Sequence, residues 1–128
     1  VPLKPGAGEF LARRAVEGAD MALVTACVPE LCRAALARHG LERYFSAVVY
    51  VQELGVEKRD PRAFALTLER LGVRAMDCTL YEDSPGACRA ARDTGIAVVG
   101  VYDPFYAMYE AEMRQLCRRY IRSFTELL

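Results

Sequence analysis

The chain has 128 residues, with 17 basic and 17 acidic side chains and 53% hydrophobic residues. One domain of this length can bury a core, and the even charge balance argues against nucleic acid or an anionic membrane surface as a partner. The apolar stretches are of strand length and interrupted by charge, so we expect no membrane span and a cytoplasmic location.

Helical and strand-like segments alternate along the chain. The run at 21–25 is continuously apolar, which predicts a strand buried on both faces. The alternation predicts an α/β fold in which right-handed βαβ units build a mostly parallel sheet with helices on both faces. Ligands of such sheets bind beyond the carboxyl ends of the strands. The predicted elements are helix 5–18, strand 21–25, helix 29–40, strand 47–51, helix 61–71, strand 78–81, helix 84–95, strand 97–101, a last helix opening at Asp103, and a short strand near Tyr120.

Two further features of composition are unusual. The sequence begins at Val1 rather than Met, which suggests a trimmed or cut chain, and only Lys4 and Lys58 among the basic residues are lysines. The cysteines are odd in number and form no C-x-x-C pair, so neither a disulfide framework nor a zinc site is indicated. We expect all of them to be small core residues in a reducing compartment: Cys27, Cys32, Cys78, Cys88 and Cys117.

Polar groups follow the first two predicted strands. Thr25 offers a hydroxyl and Ala26 a backbone amide, which together suit a phosphate oxygen, although a threonine entering a helix is the plainer interpretation. Lys58 lies in the charged loop after the second strand, where it fits either a solvated loop or a phosphate contact. Its ammonium is a compact point charge on a flexible stem.

Two adjacent acids, Glu82 and Asp83, follow the third strand. Adjacent carboxylates repel each other and are costly when desolvated unless a cation or hydrogen-bond donors compensate. Helix capping is the alternative, but Ser84 is already a good N-cap and Pro85 a good first helical residue. Two hard oxygen ligands suit Mg²⁺, so the sequence predicts one site for a phosphate with Mg²⁺ at this edge of the sheet.

The order of these residues resembles the haloacid dehalogenase-like (HAD) hydrolases, in the branch that contains phosphoglycolate phosphatases and β-phosphoglucomutase. Thr25 after an apolar strand, KRDPRAF at 58–64 and LYEDSPGACRAA at 80–91 are similar to motifs II, III and IV of that family. The resemblance extends from about residue 5 to the end of the chain. Motif III departs from the usual Gly-Lys-Pro-x-Pro-Asp pattern by carrying charged residues at 57, 59 and 62.

The resemblance implies a Rossmann-like three-layer core and Mg²⁺-dependent phosphoryl transfer from a small phosphorylated substrate. It implies that Thr25 and the amide of Ala26 bind the phosphoryl group and that Lys58 neutralises its charge and holds the nucleophile. Asp83 would be a direct Mg²⁺ ligand, and Glu82 would act through a metal-bound water or orient the ligands. The cap that selects the substrate has no counterpart here.

The nucleophile of the family, the first Asp of an Asp-x-Asp motif, is also missing. No Asp in this sequence has another Asp two positions on. The resemblance places the strand carrying that motif mid-sheet, between the strands of motifs II and IV. We therefore expect residues 1–128 to be the C-terminal portion of a HAD-like core domain, lacking the first strand and the cap, and to be inactive and poorly folded alone.

Two other classes of protein remain open. A non-catalytic, degenerate HAD-like module would use the phosphate pocket or the last helix for binding, with an aromatic surface at Tyr102, Phe105, Tyr106 and Tyr109, although helical spacing favours core positions for these. A receiver-type domain would need an acidic pair near its first strand, where Thr25 stands.

Overall fold

Five α-helices and five strands alternate along residues 2–128, the part of the chain that this computed structural model describes. The predicted order of elements is confirmed. No helix within these residues has the length and apolar character needed to cross a membrane. The elements are α1 (Ala7–Val16), β1 (Ala22–Thr25), α2 (Pro29–His39), β2 (Ala47–Tyr50), α3 (Ala63–Leu71), β3 (Thr79–Glu82), α4 (Pro85–Asp93), β4 (Ala97–Val101), α5 (Glu110–Leu116) and β5 (Arg119–Ile121).

Proline and glycine set several helix ends, as the sequence predicts. Pro29 and Pro85 stand in the first turns of α2 and α4, where the missing N–H costs no intrahelical bond and the fixed φ suits the helix. Gly40 and Gly72 end α2 and α3 with φ of +66° and +69°. This left-handed conformation strains residues that carry a Cβ, so glycine is favoured at both positions.

The strands pair in parallel, as predicted, but they form two sheets, separated where the resemblance places a strand that residues 2–128 do not contain. β1 pairs in parallel with β2, and β4 lies between β3 and β5 with parallel pairing on both sides. Within residues 2–128, no strand pairs with the second edge of β1 or of β3. A groove of about 690 Å³ is lined by both strands, with Ala22, Leu23 and Val24 on one side and 79–82 on the other.

The groove also explains the burial of β1. The continuous apolar run predicts burial on both faces, but every residue of β1 is only half-buried, so this prediction is wrong. Ala22, Leu23 and Val24 line the groove, and within residues 2–128 no strand lies beside β1 on that side. Val49 of β2 is by contrast 1% exposed.

Helices cover both faces of the three-stranded sheet, as predicted. Helices α3, α4 and α5 pack on one face, with Phe64, Cys88 and Met113 almost fully buried. On the other face, the ring of Phe10 from α1 lies 5.0 Å from Tyr81 and 5.2 Å from Phe124. These layers hold β3, and therefore the residues that follow it, in a fixed position.

The segment after β4 departs from the single helix that the sequence predicts. A 3₁₀-helix spans Pro104–Tyr109 before α5 begins, and Tyr106 has the non-helical angles φ −110° and ψ 18°. Phe105 is 77% and Tyr109 43% exposed. Helical spacing favours core positions for these two residues, and that interpretation is wrong, since a 3₁₀-helix has three residues per turn and not the α-helical spacing on which it rests.

The five cysteines differ in how deeply they are buried. Cys32, Cys88 and Cys117 are buried, as predicted, and all five thiols are free. Cys78 is only partly buried. The prediction is wrong for Cys27, which lies exposed in the loop after β1 and donates its backbone N–H to the hydroxyl of Thr25.

Candidate active site

Glu82 is the centre of a hydrogen-bonded turn between β3 and α4. Its side chain is 10% exposed. One carboxylate oxygen, Oε2, accepts the backbone N–H groups of Asp83 at 3.0 Å and Ser84 at 3.2 Å. The other, Oε1, accepts from Lys58 Nζ at 3.0 Å. Both oxygens of Glu82 are thus engaged by donors of the chain itself.

These contacts correct the expectation that Ser84 caps α4 and leaves Glu82 without a capping role. The Ser84 side chain makes no capping hydrogen bond, and the amide at the helix start donates to Glu82 instead. A carboxylate at a helix N-terminus satisfies a free N–H and is favoured by the helix dipole. Capping and a functional role are therefore compatible for Glu82.

The pKa values of Glu82 and Asp83 are shifted in opposite directions. Burial acts to raise the pKa of Glu82, but the charge of Lys58 and the hydrogen bonds of the turn outweigh it and hold this pKa below its usual value. Burial, reinforced by the hydrogen bond and charge of Glu82, raises the pKa of Asp83 to about 6, although Lys4 opposes the rise. Asp83 is therefore the carboxylate that gains most from a further cation.

Lys58 lies between the two sheets, on the wall of the groove. Its side chain is 24% exposed. The charged neighbours that distinguish this loop from the usual motif III point elsewhere: Arg59 pairs with Glu57 at 2.7 Å, and both are more than 70% exposed. Arg62 pairs with Asp60 at 2.9 Å. Of the three basic residues at 58–62, Lys58 is therefore the one that pairs with the acidic turn.

Lys4 is a member of the site that the sequence did not predict. Its ammonium lies 2.6 Å from Asp103 Oδ2 and 3.5 Å from Asp83 Oδ2, and it donates to the carbonyl of Tyr102 at 3.1 Å. The hydrogen bond from Lys4 and the N–H of Phe105 hold the pKa of Asp103 below its usual value. The rarity of lysine was the available signal, since both lysines of the chain contact the acidic pair.

Thr25 and Ala26 lie apart from this cluster. Thr25 ends β1, and its hydroxyl accepts from Cys27 N–H at 3.0 Å, while Ala26 is exposed. Lys58, Glu82 and Asp83 line the groove, whereas its lining on β1 stops at Val24. The structure thus joins Lys58 to the acidic pair directly and leaves Thr25 and Ala26 at the end of the opposite wall.

The oxygen atoms near Lys4 fit a small hard cation. The carboxylates of Asp83 and Asp103 and the carbonyl of Tyr102 surround a positive charge already. Residues 2–128 contain no cluster of three or more His, Cys, Asp or Glu side chains arranged for a metal. Mg²⁺ commonly takes one or two carboxylates and completes its shell with water and substrate, so the donors present suit Mg²⁺ better than a transition metal.

Parallel α/β layers with charged residues at the carboxyl ends of the strands define the doubly wound class of α/β proteins, in which that edge is the ligand-binding edge. A family model described as haloacid dehalogenase-like hydrolase matches residues 1–95. The chain belongs to the haloacid dehalogenase-like hydrolase family.

Individual relatives agree with this assignment. The phosphoserine phosphatase of Thermus thermophilus is 39% identical over 101 residues, which cover 78% of this chain and 41% of the relative. Protein CbbY of Cupriavidus necator is 33% identical, covering 77% of this chain and 40% of the relative. CbbY from Rhodobacter sphaeroides, solved with xylulose-1,5-bisphosphate, shares the fold at a TM-score of 0.83 and 23% identity, covering 98% of this chain and 56% of that chain. The chain therefore spans about two-fifths of the length of these curated relatives.

Proposed function

We propose that this chain is the phosphate- and cation-binding part of a Mg²⁺-dependent phosphatase that acts on a small phosphorylated metabolite. The observation that carries the proposal is the direct contact between Lys58 and the Glu82–Asp83 turn at one edge of the groove. Membership of the hydrolase family and the phosphatases among its relatives support the reaction class.

Each residue has a distinct task in this proposal. Asp83 holds Mg²⁺, which when bound offsets the negative charge of the phosphoryl group. Glu82, whose two oxygens are occupied, fixes the turn that carries Asp83. Lys58 supplies a positive charge to the phosphoryl oxygens, and its hydrogen bond to Glu82 sets its starting position. Such positioning and charge stabilisation account for most catalysis of phosphoryl transfer.

Thr25 and Ala26 complete the phosphate site in our proposal. Thr25 ends β1 on the wall opposite the acidic turn, with Ala26 exposed beside it. Thr25 Oγ1 accepts from Cys27 N–H, and a hydroxyl that accepts one hydrogen bond can still donate its own hydrogen. A hydroxyl and a neighbouring amide can together hold one phosphate oxygen.

We further propose that residues 1–128 form the C-terminal portion of the core domain and that the groove receives a strand from a preceding segment ending in Asp-x-Asp. The unpaired edges of β1 and β3 support this proposal, since buried N–H and C=O groups need partners. The wall of the groove that β1 forms is apolar at Ala22, Leu23 and Val24. The curated relatives, more than twice as long as the matched part, have room for such a segment and a cap.

Turnover of a generic aryl phosphate by the full-length protein tests the proposal. We expect hydrolysis that requires Mg²⁺ and stops on addition of EDTA. Lys58→Met and Asp83→Asn should each reduce kcat by about 100-fold or more, the scale of losing one charge that stabilises a transition state. Arg59→Met is the matched control, because it removes the neighbouring exposed cation and should leave kcat within about two-fold.

A non-catalytic binding module is the second candidate, favoured by the exposed side chains Phe105, Met108 and Tyr109 beside the site. It predicts that the full-length protein binds inorganic phosphate with Mg²⁺ but shows no turnover. Hydrolysis by the wild type would contradict the binding module. If Lys58→Met and Asp83→Asn left that hydrolysis unchanged, the catalytic roles of Lys58 and Asp83 would also be contradicted.

A further inference from the structure

The segment that carries Lys4 is anchored to the opposite end of the chain. The carbonyl of Pro5 accepts from the backbone N–H of Phe124 at 3.0 Å and from the hydroxyl of Ser123 at 3.2 Å. A Cβ at Gly6 would come within 2.6 Å of the backbone nitrogen of Thr125, so the two segments are in close contact. Lys4 therefore reaches the site from a fixed backbone position.

The ammonium of Lys4 is held by three oxygen atoms from two segments. It contacts Asp103, Asp83 and the Tyr102 carbonyl, and the three charged side chains are each about 30% exposed. Asp103 is itself oriented, because its second oxygen accepts the N–H of Phe105 at 2.9 Å. Removal of the ammonium would leave two carboxylates facing each other with less compensation.

We propose that Lys4 sets the affinity of this site for its divalent cation by occupying, with its own charge, oxygen atoms that the cation would use. The inference rests on the proposed function, since it takes Asp83 as the cation ligand. Lys58 neutralises the buried Glu82, and Lys4 neutralises the more accessible Asp83. A cation that binds Asp83 displaces the Lys4 ammonium from that carboxylate.

Lysine suits this exchange better than the arginine that predominates elsewhere in the chain. Its ammonium is a point charge on a flexible four-carbon stem, and it forms no planar two-pronged pair with a carboxylate. The 31% exposed side chain can turn from Asp83 into solvent while the anchored backbone stays in place. Lys4 thereby keeps the acidic turn formed when no cation is present, at the expense of weaker cation binding.

Mn²⁺ titration of the full-length protein tests this inference, with free Mn²⁺ measured by electron paramagnetic resonance. Lys4→Met removes the charge but keeps the stem, and we expect its Kd for Mn²⁺ to fall about five-fold or more, a typical size for coupled sites. The melting temperature of this variant should also rise more on adding Mn²⁺ than that of the wild type. Lys4→Arg, which keeps the charge and can form a two-pronged pair with a carboxylate, should show no gain in Mn²⁺ affinity, with a Kd equal to or higher than that of the wild type.

Arg74→Met is the control for net charge. Arg74 is 75% exposed, pairs with Asp77 and precedes β3, at the strand end opposite the acidic turn. Its Kd should stay within about two-fold of wild type, because salt screens exposed charges over that distance. An unchanged or higher Kd in Lys4→Met, or an equal decrease in Arg74→Met, would overturn the inference.

The proposed function has a separate outcome. If the wild type hydrolyses an aryl phosphate with Mg²⁺ and Lys4→Met leaves the Mn²⁺ affinity unchanged, only the role of Lys4 is wrong. If neither the wild type nor any variant binds Mn²⁺, the cation site itself is wrong and both proposals fall.

Discussion

The ion pair of Lys58 and Glu82 should contribute far more to stability than the other pairs of its loop. Nζ and Oε1 are 3.0 Å apart, and the side chains are only 24% and 10% exposed. At an effective dielectric constant of 20, the attraction is 332/(20 × 3.0), about 5.5 kcal/mol, before desolvation is subtracted. Desolvation of two partly buried charges offsets much of this, so we expect a net coupling of about 2 kcal/mol.

A double-mutant cycle measures this coupling. Lys58→Met should cost about 2–3 kcal/mol, because the buried carboxylate of Glu82 then keeps only two backbone donors. Glu82→Gln should cost about 1–2 kcal/mol, since the flexible Lys58 can turn toward solvent. The double variant should cost less than the sum by about 2 kcal/mol. Urea unfolding of the full-length protein in EDTA gives the four free energies of unfolding.

The exposed pair of Glu57 and Arg59 is the matched control. It lies in the same loop at a shorter distance, 2.7 Å, with side chains 71% and 76% exposed. Glu57→Gln and Arg59→Met should couple by about 0.5 kcal/mol or less, because water screens the charges. Equal coupling in the two cycles would refute the reasoning that burial, and not distance, determines the strength of the Lys58–Glu82 pair.

Three further predictions concern packing and pH. Gly100→Ala should destabilise the protein by about 1–3 kcal/mol in urea unfolding, because the new Cβ would lie 2.8 Å from Cys117 Sγ. A neutral effect would mean that the thiol moves freely. Phe64→Ala should cost about 3–5 kcal/mol, since this side chain is 2% exposed, and a smaller loss would indicate that the site collapses. In EDTA, Asp83 should stabilise the fold below about pH 4 and lose this effect as pH rises through its raised pKa of about 6. The rise of this pKa from 3.8 to about 6 limits the stabilisation to about 3 kcal/mol, and the partial exposure of Asp83 to solvent lowers it to about 1–2 kcal/mol. Comparing the unfolding free energies of wild type and Asp83→Asn at several pH values measures it, and parallel pH profiles would exclude it.

Element positions were predictable because local signals and tertiary packing agree. Pro29, Gly40 and Gly72 fix helix ends through backbone geometry alone, and β4 coincides with its predicted range Ala97–Val101. The kink at Tyr106 was not predictable, because helical spacing gives the same pattern for an α-helix and for a 3₁₀ segment that leads into one. Phe105, which is 77% exposed, lies in this 3₁₀ segment.

The sheet could be predicted only in part from residue patterns. An apolar run such as 21–25 predicts a strand with two apolar faces, but it does not indicate which strands lie beside it in the sheet. The unpaired edges of β1 and β3 were instead implied by the family resemblance, since residues 2–128 contain no strand that pairs between them. Half-burial of β1 is the local consequence of that unpaired edge.

Positions at strand ends indicate which side chains share an edge of the sheet, but they do not indicate the contacts between them. Lys58, Glu82 and Asp83 line one groove, and their role in catalysis stays a prediction. The sequence cannot reveal that Glu82 Oε2 accepts the backbone N–H groups of Asp83 and Ser84, because this depends on the direction of those two N–H groups. Lys4 was missed because its partner Asp103 is about a hundred positions away in the chain.

The contacts also explain how two neighbouring carboxylates can coexist at the end of one strand. If both were ionised without cations, their repulsion and desolvation would oppose folding of the turn. Glu82 is held ionised by Lys58 and two amides, whereas Asp83 has a raised pKa and lies 3.5 Å from the ammonium of Lys4. Both oxygens of Glu82 are therefore used in contacts within the protein, whereas the carboxylate of Asp83 is the one that a cation can reach. This difference in environment, which adjacency in the sequence conceals, makes Asp83 the residue through which a cation would stabilise the turn.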